Sequence, residues 1–191
     1  MRIILFSLLI QLAALSTAQT SRMPSTITSG IPYDTIYLKN ETKLIFMTNN
    51  ENRSIRMVNS AIDTTIHSLS LKYPESSMGW LKADYENYFI FYYRQIEPML
   101  RIYGKQNGKT IGEGDVMAFD TIQNIICYAD RNRPFINLFD FTTSKHEKYI
   151  SPTVPCLHWW YCVQITKITE KELTILWTGQ NNVKKEKKYV R

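Results

Sequence analysis

Short apolar or alternating stretches, separated by polar turns, fill the sequence from Thr35 to its end. Alternation of this kind places successive side chains on opposite faces of a strand, whereas the three-to-four-residue spacing of a helix is nearly absent. The aromatic content of 13%, with 12 Tyr against 7 Gly, also suits the half-buried faces of sheets. The sequence therefore predicts an all-β protein, and we count fifteen candidate strands in it.

The first residues have the three parts of a secretory signal peptide. Arg2 supplies a positive charge, an apolar stretch runs from Ile3 to Leu15, and Ser16-Thr17-Ala18 offers the small residues that a signal peptidase reads. The apolar stretch is shorter than the roughly 20 residues of a membrane-spanning helix. We therefore expect an exported protein, periplasmic or secreted, whose mature chain starts at Gln19.

After the signal peptide at 1–18, we expect an N-terminal extension at 19–33 and a single all-β domain at 34–191. No later apolar stretch approaches the length needed to cross a membrane, so no transmembrane segment is expected after cleavage. The triplets that begin at Asn40 and Asn52 match the acceptor pattern for N-glycosylation and lie in predicted turns.

The strands fall into groups of four that recur about every 40 residues, the repeat length of a propeller blade. In two groups an apolar strand ends at a polar turn before a Lys, as in Leu100-Arg101-Ile102-Tyr103 and in Phe135–Asp140. This pattern resembles the outer hairpin of β-propeller repeats. The resemblance implies antiparallel meander repeats forming four short blades, and an open ring unless Ser25-Thr26-Ile27-Thr28 supplies the strand that the last group lacks.

A lipocalin-like barrel, or a sandwich with extra strands, is the alternative fold. The hairpin over 165–177, followed by a final strand that closes on Arg191, resembles the end of small exported lipocalin-like domains. The two folds differ at the junctions between groups, because a barrel needs a continuous ladder there and a propeller does not. The deciding junctions are 64–69 with 78–82 and 109–111 with 115–119.

The formal net charge of +6 is concentrated in the last eight residues, where five bases and one acid give +4. The rest of the mature chain is nearly neutral, so it lacks the basic face that nucleic-acid recognition requires, and no nucleic-acid partner is expected. We interpret Lys184–Arg191 as a solvated end or a charged edge strand. A weak contact with an anionic surface is the alternative.

Three cysteines would enter a compartment where disulfides form. Cys156 and Cys162 lie six positions apart in a Pro-containing segment, and we predict that they are bonded. A bridge from Cys127 to either of them, or three free thiols, are the alternatives. Cys127 lies in an apolar stretch and is interpreted as a buried hydrophobic residue. A metal site from Cys156, His158 and Cys162 has only three ligands at a spacing unlike zinc motifs, so no metal is expected.

Two segments are candidate binding sites for a protein or glycan. Trp159, Trp160 and Tyr161 lie in the longest irregular stretch of the repeat region, where a pinned aromatic loop would form a contact surface; alternatively, their rings cap the core. Arg131 and Arg133 lie at a charged hairpin tip that could meet an acidic partner.

No catalytic motif is present, neither a nucleophile elbow, a zinc-protease motif nor a phosphate loop. We interpret the three histidines, His67, His146 and His158, as ordinary surface or rim residues. We therefore expect a non-enzymatic binding or interaction module without a cofactor. A carrier of small apolar ligands is the alternative, and a hydrolase that pairs carboxylates is a remote third. Its candidate acids are Glu113, Asp115, Asp120, Asp130 and Asp140.

Overall fold

The computed structural model describes residues 30–94, 98–179 and 183–191, so the predicted signal peptide at 1–18 and most of the extension at 19–33 lie outside the described residues. The described part contains fourteen strands and two short 3-10 helices, Glu75–Met78 and Trp159–Cys162. In chain order the strands are β1 (Ile31–Tyr37), β2 (Lys43–Thr48), β3 (Asn52–Val58), β4 (Asp63–Ser70), β5 (Trp80–Asp84), β6 (Tyr88–Arg94), β7 (Pro98–Gly104), β8 (Thr110–Asp120), β9 (Ile125–Ala129), β10 (Phe135–Asp140), β11 (His146–Ile150), β12 (Val163–Ile168), β13 (Glu172–Thr178) and β14 (Lys184–Val190).

The strands form three antiparallel sheets in which neighbours follow chain order. The first sheet holds β1 to β4, the central sheet holds β5 to β11, and the C-terminal sheet holds β12 to β14. The predicted all-β class is confirmed. Two predicted pairings are also confirmed, because β2 lies between β1 and β3, and β9 lies between β8 and β10.

The central sheet has seven strands because β8 pairs with both β7 and β9. Its first half pairs with β7 as far as Gly114, and its second half pairs with β9 from Asp115 onward. The sequence predicts two strands here, broken at the Gly-Glu-Gly triplet, and this prediction is wrong. Gly114 instead lets two backbones approach closely, since a Cβ at this position would collide with the carbonyl oxygen of Ala129.

The junction between β4 and β5 has no ladder, since the two strands belong to different sheets. A 3-10 helix precedes β5, which therefore starts at Trp80 and not at the predicted Met78. At the second deciding junction the two predicted strands are one continuous strand, β8. Neither junction has the strand-to-strand ladder that a barrel requires.

Three apolar clusters lie between successive layers of strands. The first joins the first sheet to β6 and β7 through residues such as Ile55 and Phe91. The second lies between β6–β7 and β9–β10, as with Leu100 and Phe139, so the central sheet folds back on itself around β8. The third joins the central sheet to the C-terminal sheet and includes the free thiol of Cys127.

A buried ion pair connects the first sheet to the central sheet. Lys105 Nζ lies 2.6 Å from Asp84 Oδ1 and donates a 2.9 Å hydrogen bond to the Lys39 carbonyl oxygen. The other Asp84 oxygen accepts a 2.8 Å hydrogen bond from the Lys39 amide. The turn before β2 is thus fixed to the turns of the central sheet by a charge that is almost fully removed from water.

His67 on β4 is buried, with 8% of its surface exposed, so its interpretation as a surface or rim residue is wrong. Its ring centroid lies 4.2 Å from that of Tyr93, across the boundary between the first and central sheets. His146 on β11 is exposed, as expected. In the part of the chain that the structure describes, no helix has the length and apolar character to cross a membrane.

Candidate binding surface

The segment between β11 and β12 forms a loop that a disulfide closes. Cys156 and Cys162 are bonded, with Cα atoms 6.4 Å apart, which confirms the predicted proximity. Ser151, at the start of the loop, is buried, and its amide donates a 2.8 Å hydrogen bond to the carbonyl oxygen of Pro134. The loop is therefore attached at its start and closed at its end. The bond also occupies both sulfurs that the metal alternative would use.

Leu157 and Tyr161 are the exposed apolar side chains within the closed loop. Leu157 is 94% exposed and Tyr161 is 75% exposed. Tyr161 lies in the 3-10 helix Trp159–Cys162, where its amide donates a 3.1 Å hydrogen bond to the His158 carbonyl oxygen. We call the segment 156–162, with these two side chains on its surface, the closed loop.

The two tryptophans of the closed loop belong to an aromatic cluster that packs against the core. Trp159 packs against the apolar cluster between the central and C-terminal sheets, as the core-capping alternative predicts for these rings. Trp160 lies between Trp159 and Tyr161, with ring centroids 6.0 and 5.8 Å away, and 5.1 Å from the ring of His158. Trp159 thus anchors the aromatic cluster, while Tyr161 remains at the surface.

The indole N–H groups of both tryptophans are buried, and neither finds a hydrogen-bond acceptor among the described residues.

The hairpin tip between β9 and β10 carries both candidate arginines. Arg131 forms a bidentate pair with Asp115, with N–O distances of 2.6 and 2.9 Å. This guanidinium is engaged inside the chain, and the contact of the tip with an acidic partner stays a prediction. Arg133 is exposed. The backbone hydrogen bond from Ser151 to Pro134 joins this tip to the start of the segment between β11 and β12.

The five acids of the hydrolase alternative all have local structural roles. Three of them accept hydrogen bonds from backbone amides in turns, and two pair with arginines. The turn acids are Asp120, which binds the amides of Ile122 and Gln123, Asp130, which binds that of Asn132, and Asp140, which binds those of Thr142 and Thr143. The paired acids are Glu113, with Arg101, and Asp115, with Arg131.

Two depressions in the described surface are open to solvent. One of about 400 Å³ is lined by Gly30, Ile31 and the turn at 48–51. Another, of about 330 Å³, lies between the turn after β8 and β12. Both are shallow and partly polar, unlike the enclosed apolar cavity that a carrier of small ligands uses. Within the described ranges, no group of three or more His, Cys, Asp or Glu side chains could hold a metal ion.

The two glycosylation triplets have different surroundings. Asn40 lies in a turn with a φ of 55°, but its amide nitrogen donates a 2.8 Å hydrogen bond to the Glu86 carbonyl oxygen. Asn52 opens β3 and is half-buried, so the prediction that it lies in a turn is wrong. The Asn40 nitrogen, to which a glycan would be attached, therefore already takes part in a contact with the central sheet.

The basic end of the chain is an ordered strand, β14, as its interpretation as a charged edge strand predicts. Its four lysines are exposed. The side chain of Arg191, by contrast, is only 4% exposed, and its Nε lies 3.0 Å from Glu147 Oε2. Burial raises the pKa of Glu147, but its bonds to Lys145, Tyr149 and Arg191 outweigh that effect and lower it to about 2.

No family model and no curated protein matches this sequence. Among solved structures, the chain is similar to one described as Kluyveromyces lactis Hsv2 complete loop 6CD, with 12% identity and a TM-score of 0.23. The similarity covers 84% of this chain and 50% of that chain, so this chain spans half the length of that structure. At this identity and TM-score the likeness carries no inference about fold or function.

The sequence-based candidates include Trp159, Trp160 and Tyr161, which the structure brings together, but they omit Leu157. The sequence could have indicated Leu157, because it is an aliphatic residue beside a cysteine in an irregular segment, outside any strand pattern. Such a residue has no sheet face in which to be buried.

Proposed function

We propose that this chain is an exported, non-enzymatic interaction module that binds a partner protein through the closed loop. The observation that carries the proposal is the exposure of Leu157 and Tyr161 on a loop that a disulfide closes and Trp159 anchors in the core. The disulfide and the signal-peptide pattern support export, since such bonds form outside the reducing cytosol.

Burial of these two side chains by a partner would provide a substantial part of a binding energy. Removing a Leu side chain from water is worth about 1.5–3 kcal/mol, and aromatic anchors are common hot spots of interfaces. Because the loop is held in one conformation, little entropy is lost on binding. A protein is favoured over a glycan, since an aliphatic side chain such as Leu157 contributes little to the recognition of a sugar.

The contacts of the candidate acids and the shape of the surface depressions favour a binding function over the hydrolase and carrier alternatives. A hydrolase would need carboxylates free for proton transfer, whereas the five candidate acids hold turns or pair with arginines. A carrier would need an enclosed apolar space, whereas the two depressions described above are open and partly polar.

Photo-crosslinking tests this function with a matched control inside the same chain. A photoreactive phenylalanine analogue is placed at Tyr161, or at Ile122, which is 92% exposed on a different turn. We expect a discrete adduct from position 161 and none from position 122 when the protein is produced in cells that secrete it. We also expect L157S to reduce the adduct about tenfold, given the burial energy of a Leu side chain.

Two results would reject the proposal. Equal adducts from positions 161 and 122 would show that the loop is no more than exposed surface. An adduct that L157S leaves unchanged would show that the apolar face of the loop does not make the contact. Circular dichroism of each variant shows whether the sheets are retained.

We further infer that the layers form an open, propeller-like arrangement. Sequential strand order, the missing ladder between β4 and β5, and three apolar clusters between successive layers support this arrangement. The shared strand β8 is a departure from separate blades. An experimental structure in which β11 and β12 pair through a backbone ladder would reject it in favour of a barrel.

A further inference from the structure

β14 is one of the two edge strands of the C-terminal sheet, whose strand order is β12-β13-β14. The sheet contains three strands, whereas the first sheet contains four and the central sheet seven. In the described ranges, no strand lies on the side of β14 that faces away from β13. A further strand can therefore pair with the outer side of β14.

Two hydrogen bonds establish which backbone groups of β14 face this open edge. The Gly179 amide donates to the Val183 carbonyl oxygen at 2.9 Å, and the Arg191 amide donates to the Lys171 carbonyl oxygen at 3.0 Å. Between these ends the register with β13 has no shift. Because the N–H and C=O of one residue point to the same neighbour and alternate along a strand, the odd-numbered residues of β14 bond to β13. The outward groups belong to Lys184, Glu186, Lys188 and Val190.

The open edge is strongly basic. Residues 184–188 hold four lysines and one glutamate, and all five side chains are exposed. The positive charge extends beyond the strand, because 141–191 contains nine basic and four acidic residues, whereas 30–140 contains twelve basic and thirteen acidic ones. An anionic partner is therefore favoured at this end of the molecule.

Contacts at its C-terminal end hold the strand in place. The Tyr189 hydroxyl donates to the Ile150 carbonyl oxygen, and its ring centroid lies 5.0 Å from that of Tyr149. The Arg191 guanidinium pairs with Glu147 and donates to the Thr169 carbonyl oxygen. The edge is thus formed before any partner arrives, which lowers the entropy cost of adding a strand.

The sequence of the edge disfavours two occupants from within this protein. Lys184-Lys185-Glu186-Lys187-Lys188 reads the same in both directions, so a second copy paired antiparallel and centred on Glu186 would place lysine opposite lysine and glutamate opposite glutamate. The residues at 19–29 contain Arg22 and no acid, so they offer no complementary charge. A partner with acidic residues meets neither obstacle.

We propose that the open edge of β14 binds an acidic extended segment of another protein, which adds a fourth strand to the C-terminal sheet. Backbone hydrogen bonds to Glu186 and Lys188 provide the ladder, and acids opposite the lysines provide the selectivity. Lysines on an edge repel uncharged or basic strands and so also limit aggregation. The proposed site is separate from the closed loop and does not rest on it.

A synthetic peptide tests the proposal on the mature protein. The heptapeptide TVEEKEE, capped at both ends, places acids opposite the four lysines and a lysine opposite Glu186 when it pairs antiparallel. The scrambled peptide EKETEVE has the same composition without the register. A third peptide, TVEEKEE with N-methyl groups on its third and fifth residues, keeps the charge but loses two backbone donors that face β14.

We expect TVEEKEE to bind about tenfold or more tightly than either control peptide, since each lost backbone hydrogen bond is worth about 1 kcal/mol. Amide hydrogen exchange gives a second readout with an alternating pattern. The amides of Glu186 and Lys188 should become protected when the peptide is added, while that of Lys187, already bonded to β13, should not change. E186P removes the outward N–H together with the carboxylate, whereas E186Q removes the charge of the carboxylate alone. E186P should weaken binding about tenfold, and E186Q should not.

Each other outcome overturns the proposal. Equal binding of the three peptides would reduce the contact to charge alone, and no binding would leave the lysines as a guard against aggregation. Binding to vesicles of phosphatidylserine and phosphatidylcholine, with the outward amides unprotected, would assign the edge to a lipid surface. Protection of Glu186 and Lys188 before any peptide is added would show that the chain or a second copy covers the edge, and sedimentation distinguishes these two.

Discussion

The protonation of His67 should make the protein less stable in mildly acidic solution. Burial lowers the pKa of this imidazole from 6.5 to about 4, and the positive charge of Arg101 acts in the same direction. The other titratable groups around it are the Tyr93 and Tyr103 hydroxyls, which lie 2.7 Å from each other. Its Nε2 is buried and finds no hydrogen-bond partner in the described residues. Among the described residues, the charge that acts on this ring is that of Arg101, and no carboxylate compensates a positive charge on it.

The loss of stability at low pH follows from the different pKa values of His67 in the folded and the unfolded chain. The unfolded chain takes up a proton near pH 6.5, whereas the folded chain resists it until about pH 4, so stability is fully present above pH 6.5 and is lost as the pH falls towards 4. With these two pKa values, the free energy of unfolding should fall by about 2 kcal/mol between pH 7 and pH 5.

Urea denaturation at pH 7 and pH 5 measures this loss. We expect the native protein to lose about 2 kcal/mol more than H67Q over this interval. H146Q is the matched control, because the pKa of His146 is also lowered, by partial burial and by Lys148, but this ring is more accessible. H146Q should therefore retain most of the pH dependence. If H67Q shows the same pH dependence as the native protein, the burial of His67 does not act on stability as argued.

The remaining predictions concern packing, pairing and processing. Burial raises the pKa of the Cys127 thiol to about 12, so alkylation should label no thiol in the native protein, one after denaturation and three after reduction. G114A should cost about 2 kcal/mol or more in thermal melts, because its Cβ meets backbone, whereas G179A meets only a flexible lysine side chain and should cost less than about 1 kcal/mol. K105M leaves a largely buried carboxylate without its cation and should cost about 3 kcal/mol in urea denaturation; a loss below about 1 kcal/mol would contradict the importance of this pair. Intact mass of the secreted protein should correspond to a chain that starts at Gln19, and a retained 1–18 segment would contradict export by cleavage.

The local sequence pattern was sufficient to predict the all-β class and most of the strand pairings. Alternating residues separated by turn formers predict hairpins directly, because neighbouring strands that follow each other in the chain pair with each other. The pattern failed at Gly112–Gly114, since two glycines close together are typical of a turn. In the folded protein Gly114 instead allows β8 to pass close to the backbone of β9.

Long-range partners determine two features that the local pattern does not show. Arg131 is a charged residue at a hairpin tip in the sequence, and only the fold shows that Asp115, on β8, lies within 2.6 Å of its Nε. His67 lies in an alternating strand, and its burial depends on Tyr93 in a different sheet. The cysteine pair was predictable because its two members are only six residues apart, so the local chain already brings them together.

The shared strand β8 has a consequence for how the protein loses its structure. Because β8 pairs with β7 at one end and with β9 at the other, the two halves of the central sheet cannot come apart without breaking one continuous strand. In the described residues, the first sheet shares no strand with the central sheet, since β4 and β5 lie in different sheets. In native-state hydrogen exchange, β5 to β11 should therefore open together in one cooperative event, and β1 to β4 should exchange in a separate event of lower free energy.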